Sequence, residues 1–454
     1  MGKATLSHSL ILSHSLILSH SLTYHTHTLT HSLITLTHSL TLHTHCFLYL
    51  QIRFSSFLIR ILDKIMTTIK QTIQYQYHYQ YQFHKRSNAL ERTTMLLLLL
   101  LLLQCNTALQ LKPKIGTVKA GPIQISSMGC GTWSWGNRLL FNYDPSQDEE
   151  IFQAYCAVRN AGVTIFDTAD SYGTLDLNGR AEILLGQFER RYLAQTKNEK
   201  PWWNRSEPPK PQQVATKFAP YPWRITRGSM VQAAQESLKR LDQPKLAIAQ
   251  LHWSTSKYQP LQEGALWEGL ADVYDNGLCD AVGVSNYGPA QLQKVATFFN
   301  ERNIPLATAQ IQYSLMTYKE SKDMNHVCNS VDCRLISYSP LCLGLLTGKY
   351  TLDNLPRPGN PRRQLFRELL PGAQDLLNTL EVLAKDYGKT QSQIAINWAI
   401  QKGTVPIPGA RTLKMAEENL GATGWSLKSD ALEILDLTAS RVSKPMIQNI
   451  FQTK

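Results

Sequence analysis

Nowhere in the 454 residues does a Cys-x-x-Cys pair occur, and no histidine–cysteine set has zinc-finger spacing. That argues against a zinc ribbon and against a thioredoxin-type redox motif, and no metal site is expected. Of eight cysteines, six lie beyond residue 112, Cys328 and Cys333 being nearest to each other, so free buried thiols are expected. No apolar run approaches the roughly 20 residues that cross a bilayer as a helix, so stable membrane insertion of the mature body is not expected. The net charge of +12 is unevenly held: residues 1–112 carry nine Lys/Arg against two Asp/Glu, and the rest of the chain 37 against 32. So thin a basic excess offers no face for nucleic acid. No Gly-x-Gly-x-x-Gly follows a strand-like run, which counts against an open dinucleotide-binding sheet.

What is present divides near residue 112. Eleven of the thirteen histidines lie at or before His84, inside tandem copies of LSHSLI and a later QYQYHYQYQFH tract. These repeats hold neither helical nor strand periodicity and resemble translated simple-repeat DNA upstream of a start at Met66 or Met95; a metal-binding histidine tract is the other reading. Met95 is followed by eight leucines, with Arg86 and Arg92 before them and QCNTA after. A run of that size suits a signal-peptide core cleaved near Ala108, or one part of a two-part plastid leader. The expected organisation is therefore a low-complexity extension over residues 1–112 and a folded body over residues 113–454. The compartment expected is the plastid, with cytoplasmic or secretory alternatives if the leucine segment is absent or is a plain signal peptide.

The body is regular. KIGTV, KAG and PIQI read as a hairpin leading to a first strand that ends at Gly131, Thr132 and Trp133. Strand-like runs then recur at 163–169, 212–218, 246–253, 279–286, 306–314, 334–340 and 404–410. Helical patterns separate them, such as GSMVQAAQESLKRLD and PAQLQKVATFFNERN, the second opening at Pro289 where a first-turn proline is tolerated. Eight strand–helix units in roughly 300 residues predict a closed (β/α)8 TIM barrel, with a doubly wound sheet as the alternative.

In such a barrel the chemistry sits where strands end. The stretch FDTADSYG, residues 166–173, ends the second strand with Asp167 in phase with the buried Val163 and Ile165, and carries Tyr172 in the turn beyond. A carboxylate so placed needs a partner. Lys217 at the end of the third strand supplies one, and His252 at the end of the fourth is one of only two histidines in the body. Taken singly, these are an Asp turn cap, a packed Tyr, a surface Lys and a core His. Together they suit carbonyl reduction: Tyr172 donates a proton, its pKa drawn down from about 10 by the Lys217 ammonium. Asp167 holds Lys217, and His252 donates to the carbonyl oxygen.

FDTADSYG, VATKF, QLHWS and VGVSNYG resemble the aldo/keto reductases, from about Lys114 to Lys454. The resemblance implies the (β/α)8 barrel and a hydride from NADPH bound without a Rossmann motif. It implies Tyr172 as general acid, Asp167 and Lys217 as its tuning pair and His252 as substrate orienter. It matches Ser285, Asn286 and Gln310 to carboxamide contacts and Tyr338 to the ring stacked on nicotinamide, and it adds Gly131, Thr132, Trp133, Ser339 and Leu341 to the cofactor surface. Gly344, Gly348 and Lys349 in SPLCLGLLTGKY suit a pyrophosphate. Arg411 matches the residue that meets the 2′-phosphate, and Glu418 and Asn419 the adenine, while Met415 stands where relatives often have Arg or Gln. GTWSWGN, KFAPYPWR and PMIQNIFQTK resemble a plant plastidial subgroup that reduces pyridoxal to pyridoxine. That implies Trp133, Tyr221, Trp223 and Arg224 around a small-molecule aldehyde, with Trp135 on the same loops at the mouth. Another aldehyde or ketone as substrate, or a weakly catalytic NADPH-sensing subunit, are the alternatives, and oligomeric state is left open. The insert PWWNRSEPPKP holds an Asn204-Arg205-Ser206 sequon, usable only in a secreted chain.

Overall fold

The computed structural model describes residues 115–199, 210–446 and 449–453. The repeat tract, the leucine run and the Asn204 sequon lie outside the described residues. A hairpin comes first, with Thr117–Ala120 (β1) pairing antiparallel with Ile123–Ser126 (β2). Eight parallel strands follow: Cys130–Gly131 (β3), Ile165–Asp167 (β4), Gln213–Phe218 (β5), Leu246–Leu251 (β6), Cys279–Ser285 (β7), Leu306–Gln312 (β8), Arg334–Tyr338 (β9) and Val405–Pro406 (β10). Each pairs with its sequence neighbour. The ring closes where Gly129 N–H donates to the Pro406 carbonyl at 2.9 Å and Gly131 bridges in parallel to Gly409. This is the expected closed barrel.

All eight expected runs hold a strand, several of them shorter than the run. β10 spans two residues because Pro406 and Pro408 have no N–H to give to a ladder. The two quoted helical patterns form Arg227–Leu241 (α3) and Pro289–Asn300 (α5), and the second stops early, with Asn303 in the left-handed region. The other long helices are Asp148–Asn160 (α1), Arg180–Glu199 (α2), Pro260–Asp275 (α4), Met324–Ser330 (α6), Pro361–Tyr387 (α7), Gln391–Gln401 (α8), Leu413–Leu420 (α9) and Ser429–Ser440 (α10). In α7, Leu369, Leu370, Ala373, Leu376, Leu377 and Leu380 recur at helical spacing and are buried. No helix among the described residues is long and apolar enough to cross a membrane.

The barrel interior changes character within two residues along β4, β5, β6, β7 and β9. At the hairpin end Ile125, Ile165, Ala215, Ile248, Ile336, Val405 and Ile407 form one buried apolar cluster. Side chains two positions on point to the same interior, and there they are Asp167, Lys217, Gln250 and Tyr338. Gly283 belongs to this polar layer, and a Cβ on it would stand 2.3 Å from Thr308 Oγ1. The pleat period thus turns one greasy end and one charged end out of the same strands.

Candidate active site

Asp167 closes β4 and Lys217 lies near the end of β5, both almost fully buried. The Lys217 ammonium donates to Asp167 Oδ1 and Oδ2 at 2.6 Å each and to the Thr168 carbonyl at 2.7 Å. Those three bonds use all three of its donors. Gln310 Nε2 adds a fourth contact to the cluster, donating to Asp167 Oδ1 at 2.7 Å. A charge pair this deep stays favourable only with further hydrogen bonds to it, and here Gln310 and the Thr168 carbonyl supply them.

Tyr172 sits on the loop after β4. Its backbone N–H closes a turn on the Ala169 carbonyl at 3.1 Å, and Gly173 follows with φ +131°. A Cβ on Gly173 would fall 1.7 Å from the Leu177 carbonyl oxygen, so only glycine lets the loop fold back here. The Lys217 ammonium lies 4.9 Å from the Tyr172 ring centroid. The His252 ring meets the same phenol edge-on, with centroids 5.7 Å apart, and its Nδ1 lies 3.4 Å from Ser171 Oγ. The four side chains expected to converge do so.

Their electrostatics differ from expectation in one respect. Burial first, then the Asp167 and Tyr338 charges, hold the Tyr172 phenol well above its usual 10. The lowering expected from the Lys217 ammonium is outweighed by burial of the phenol. A neutral phenol is nevertheless the form that can give a proton to an alkoxide, a far stronger base. Burial draws Lys217 below its ordinary value, with Asp167 opposing. Burial and then the Lys217 charge push His252 well below 6.5, so its imidazole is neutral at neutral pH.

The next strand ends build the far wall. Asn286, at φ +61°, donates from Nδ2 to the His252 carbonyl at 3.0 Å and to Ser285 Oγ at 3.2 Å, and Tyr338 OH donates to its Oδ1 at 2.9 Å. The carboxyl-terminal residues reach this wall. Thr453 N–H donates to the Asn286 carbonyl at 3.1 Å, its Oγ1 accepts from Gly288 N–H at 2.9 Å, and Phe451 stacks on Trp253 at 4.4 Å.

Beyond β9 the segment from Ser339 to Gly348 holds Ser339, Cys342, Leu343, Gly344 and Gly348 at positive φ. Non-glycine residues held there are strained, and the segment bonds to itself, Cys342 N–H donating to the Ser339 carbonyl at 2.8 Å and Gly344 N–H to the Leu341 carbonyl at 2.9 Å. Lys349 follows, and it lines a cavity of about 290 Å³ together with Phe141, Tyr350, Arg357, Arg362 and Arg411. The two cations expected at phosphates therefore share one cavity.

The aldo/keto reductase family model matches residues 127–438. The chain belongs to the aldo/keto reductase family. The reductase is 50% identical over 340 residues to the chloroplastic pyridoxal reductase of Arabidopsis thaliana, covering 74% of this chain and 89% of that one. It is 27% identical to a probable voltage-gated potassium channel subunit beta of Oryza sativa subsp. japonica, over 66% of this chain and 88% of that one. An aldo/keto reductase from Klebsiella pneumoniae, solved with NADP and acetate, matches with a TM-score of 0.54 at 24% identity, over 73% of this chain and 97% of that one. At that identity the likeness shows the fold.

Several residues of the reductase have partners that spacing did not disclose. Arg224, expected toward substrate, pairs with the buried Asp170 and donates to the Ala219 carbonyl at 2.7 Å, so its charge ties the β4 and β5 loops together. Trp135, expected at the mouth, is fully buried and donates to the Ala410 carbonyl at 2.9 Å. Trp133 stays part-exposed, edge-on to Phe141 at 5.6 Å, and Tyr221 and Trp223 stack at 4.7 Å. Thr132 donates through N–H and Oγ1 to the Asp167 carbonyl at 2.9 and 3.0 Å. Glu418 accepts from Thr390 Oγ1, and Asn419 Nδ2 donates to the Gly409 carbonyl at 3.2 Å. Both are thus bonded within the protein. Asp170, Ser171 and Glu263 escaped the sequence reading; for Asp170 the available signal was a second carboxylate in FDTADSYG with an arginine in the next loop.

Proposed function

We propose that the reductase uses NADPH to reduce the 4-aldehyde of pyridoxal to the alcohol of pyridoxine. The observation that carries the chemistry is the meeting of Tyr172, the closed Lys217–Asp167 pair and a neutral His252 at one rim. The residues fit the cofactor: a cavity lined by Lys349, Arg357, Arg362 and Arg411 suits its phosphates. NADPH, when bound, supplies the hydride that forms the new C–H bond. His252 donates its Nε2–H to the aldehyde oxygen, with Nδ1 free to accept from the Ser171 hydroxyl 3.4 Å away. Tyr172 gives its O–H proton to the oxygen as negative charge gathers there, and the Lys217 ammonium beside the ring steadies the phenolate left behind. Asp167 and Gln310 keep that ammonium in place.

Ser285, Asn286 and the free carbonyl side of Gln310 hold the carboxamide, and Tyr338 the nicotinamide ring. Gly131, Thr132 and Trp133 form the floor. Ser339, Leu341, Gly348 and Lys349 take the pyrophosphate, Arg411 the 2′-phosphate, and Glu418 and Asn419 the adenine. Trp133, Tyr221 and Trp223 flank the pyridine ring with flat apolar surface. The substrate assignment rests on the 50% identity to the Arabidopsis enzyme. That relative's chloroplastic name supports a plastid location, with residues 1–112 as extension and residues 113–454 as catalytic body. The test is NADPH consumption by the purified chain with pyridoxal beside a panel of aryl, sugar and lipid aldehydes. Turnover of pyridoxal at least comparable to the best of the panel is expected. Negligible pyridoxal turnover beside fast turnover of another aldehyde overturns the substrate, and no turnover with any aldehyde overturns the reading.

A further inference from the structure

A neutral imidazole carries its one proton on only one of two ring nitrogens, so the tautomer of His252 decides whether it can donate to an aldehyde at all. The ring is placed by its backbone and by two aromatic neighbours. The His252 backbone N–H donates to the Phe218 carbonyl at 3.0 Å, and the His252 carbonyl accepts from Asn286 Nδ2 at 3.0 Å. The ring centroid lies 5.7 Å from that of Tyr172 and 5.0 Å from that of Trp253. These contacts fix where the ring stands without choosing a nitrogen for the proton. The Ser171 hydroxyl can choose, because its Oγ lies 3.4 Å from Nδ1.

Ser171 stands between two pinned residues. Asp170 N–H donates to the Lys217 carbonyl at 2.9 Å and Tyr172 N–H to the Ala169 carbonyl at 3.1 Å. The buried Asp170 carboxylate accepts from Ala219 N–H at 3.1 Å through Oδ1 and pairs with Arg224 through Oδ2. Arg224 in turn holds Tyr221: its backbone N–H donates to the Tyr221 carbonyl at 2.9 Å, and its guanidinium carbon lies 5.0 Å from the Tyr221 ring centroid. The hydroxyl of that ring reaches the side chains of Ser171 and Asn178. A serine hydroxyl has one hydrogen and two lone pairs. With a lone pair taken by the phenol's hydrogen, its own hydrogen turns to Nδ1, and the imidazole hydrogen is left on Nε2. The donors of Tyr221, Ser171 and His252 then run in one direction, and each bond in such a chain polarises the next.

We infer that Ser171 is a positioning residue for the reduction: its hydroxyl sets the His252 tautomer that keeps the donor hydrogen on Nε2, and the Asp170–Arg224 pair holds it at that ring. This rests on the reading of His252 as the group that donates to the aldehyde oxygen. The tautomer is read directly, without turnover, from long-range proton–nitrogen NMR correlations of the full chain labelled with 15N-histidine. The chain has 13 histidines, so the His252 signals are assigned by difference from His252→Asn. Wild type is expected to show a protonated Nε2 and a bare Nδ1. In Ser171→Ala a form protonated on Nδ1 is expected to appear. Its kcat for pyridoxal should fall roughly three- to tenfold, the scale of one neutral hydrogen bond, with KM within about twofold. Ser171→Thr keeps a hydroxyl and should restore both the tautomer and kcat. The double variant Asp170→Asn, Arg224→Gln removes both charges at once, so no unpaired charge is buried, and it should shift the tautomer in the same direction as Ser171→Ala. A proton on Nδ1 in wild type overturns the assignment, and so does a wild-type tautomer in Ser171→Ala, whatever its kcat. A wild-type tautomer in the double variant overturns the part given to the Asp170–Arg224 pair. Failure of wild type to reduce any aldehyde would instead sink the reading beneath it, with the tautomer measurement still standing.

Discussion

His252 is held neutral by burial and by the Lys217 ammonium, and this has a thermodynamic signature. Unfolded, the imidazole takes a proton as pH falls through about 6.5; folded, it resists until much lower pH. Between those limits the unfolded state binds more protons, so the His252 contribution is complete above pH 6.5 and is lost as pH falls below it. The slope from this one group is at most about 1.4 kcal/mol per pH unit, and less in practice because the ring keeps some solvent contact. Urea unfolding at a series of pH values from 7.5 to about 5 should show it. His252→Asn should flatten the part of the curve below pH 6.5, and a slope identical to wild type would mean that His252 takes up its proton at the same pH in the fold as in the unfolded chain. Tyr172 makes a related point: its loop position and its neighbours were readable, but the direction of its shift was not. Spacing reveals that a lysine stands near; it does not reveal how deeply the closed barrel buries the phenol, which outweighs that lysine.

The loop after β6, which carries His252 and Trp253, is held from below by one carboxylate at the start of α4. Glu263 Oε1 accepts from Ser254 Oγ at 2.8 Å, Tyr287 OH at 2.6 Å and Gln291 Nε2 at 3.0 Å, and its Oε2 accepts from Thr255 N–H and Thr255 Oγ1. Five donors converge on an acceptor with no donor of its own. Glu263→Gln would turn an NH2 toward that array, which should cost about 2–4 kcal/mol of stability and lower kcat by displacing the His252 loop. Denaturant midpoints and pyridoxal kinetics check this, and wild-type values for both would show that the loop is held by other contacts. Element by element, the strands and the α3 and α5 helices were legible because period and punctuation are local properties. The place of β10 was legible too, but not how short its two prolines leave it. The Arg224–Asp170 strut, the buried Trp135 and the docking of Phe451 and Thr453 were not, since each depends on which loops the closed barrel brings together.

Over the whole molecule, closure of eight short strands does what no single motif does. It collects Asp167, Tyr172, Lys217 and His252 from neighbouring loops and strand ends, and it brings Lys349 and Arg411 to one cavity. The family resemblance was readable across the body from FDTADSYG and VATKF, whereas the meeting of Lys349 and Arg411 in one cavity required the closed barrel. The division of labour is therefore spatial: apolar positions one pleat earlier fix the barrel, and the polar positions above them do the chemistry.

The most direct test of that account is turnover of pyridoxal with NADPH by Tyr172→Phe, beside a fluorescence titration of NADPH. The account predicts a loss of roughly 10²-fold or more in kcat with the NADPH Kd unchanged, because the variant lacks only the proton donor. Near-normal kcat in that variant would contradict it, since the proton would then come from another group.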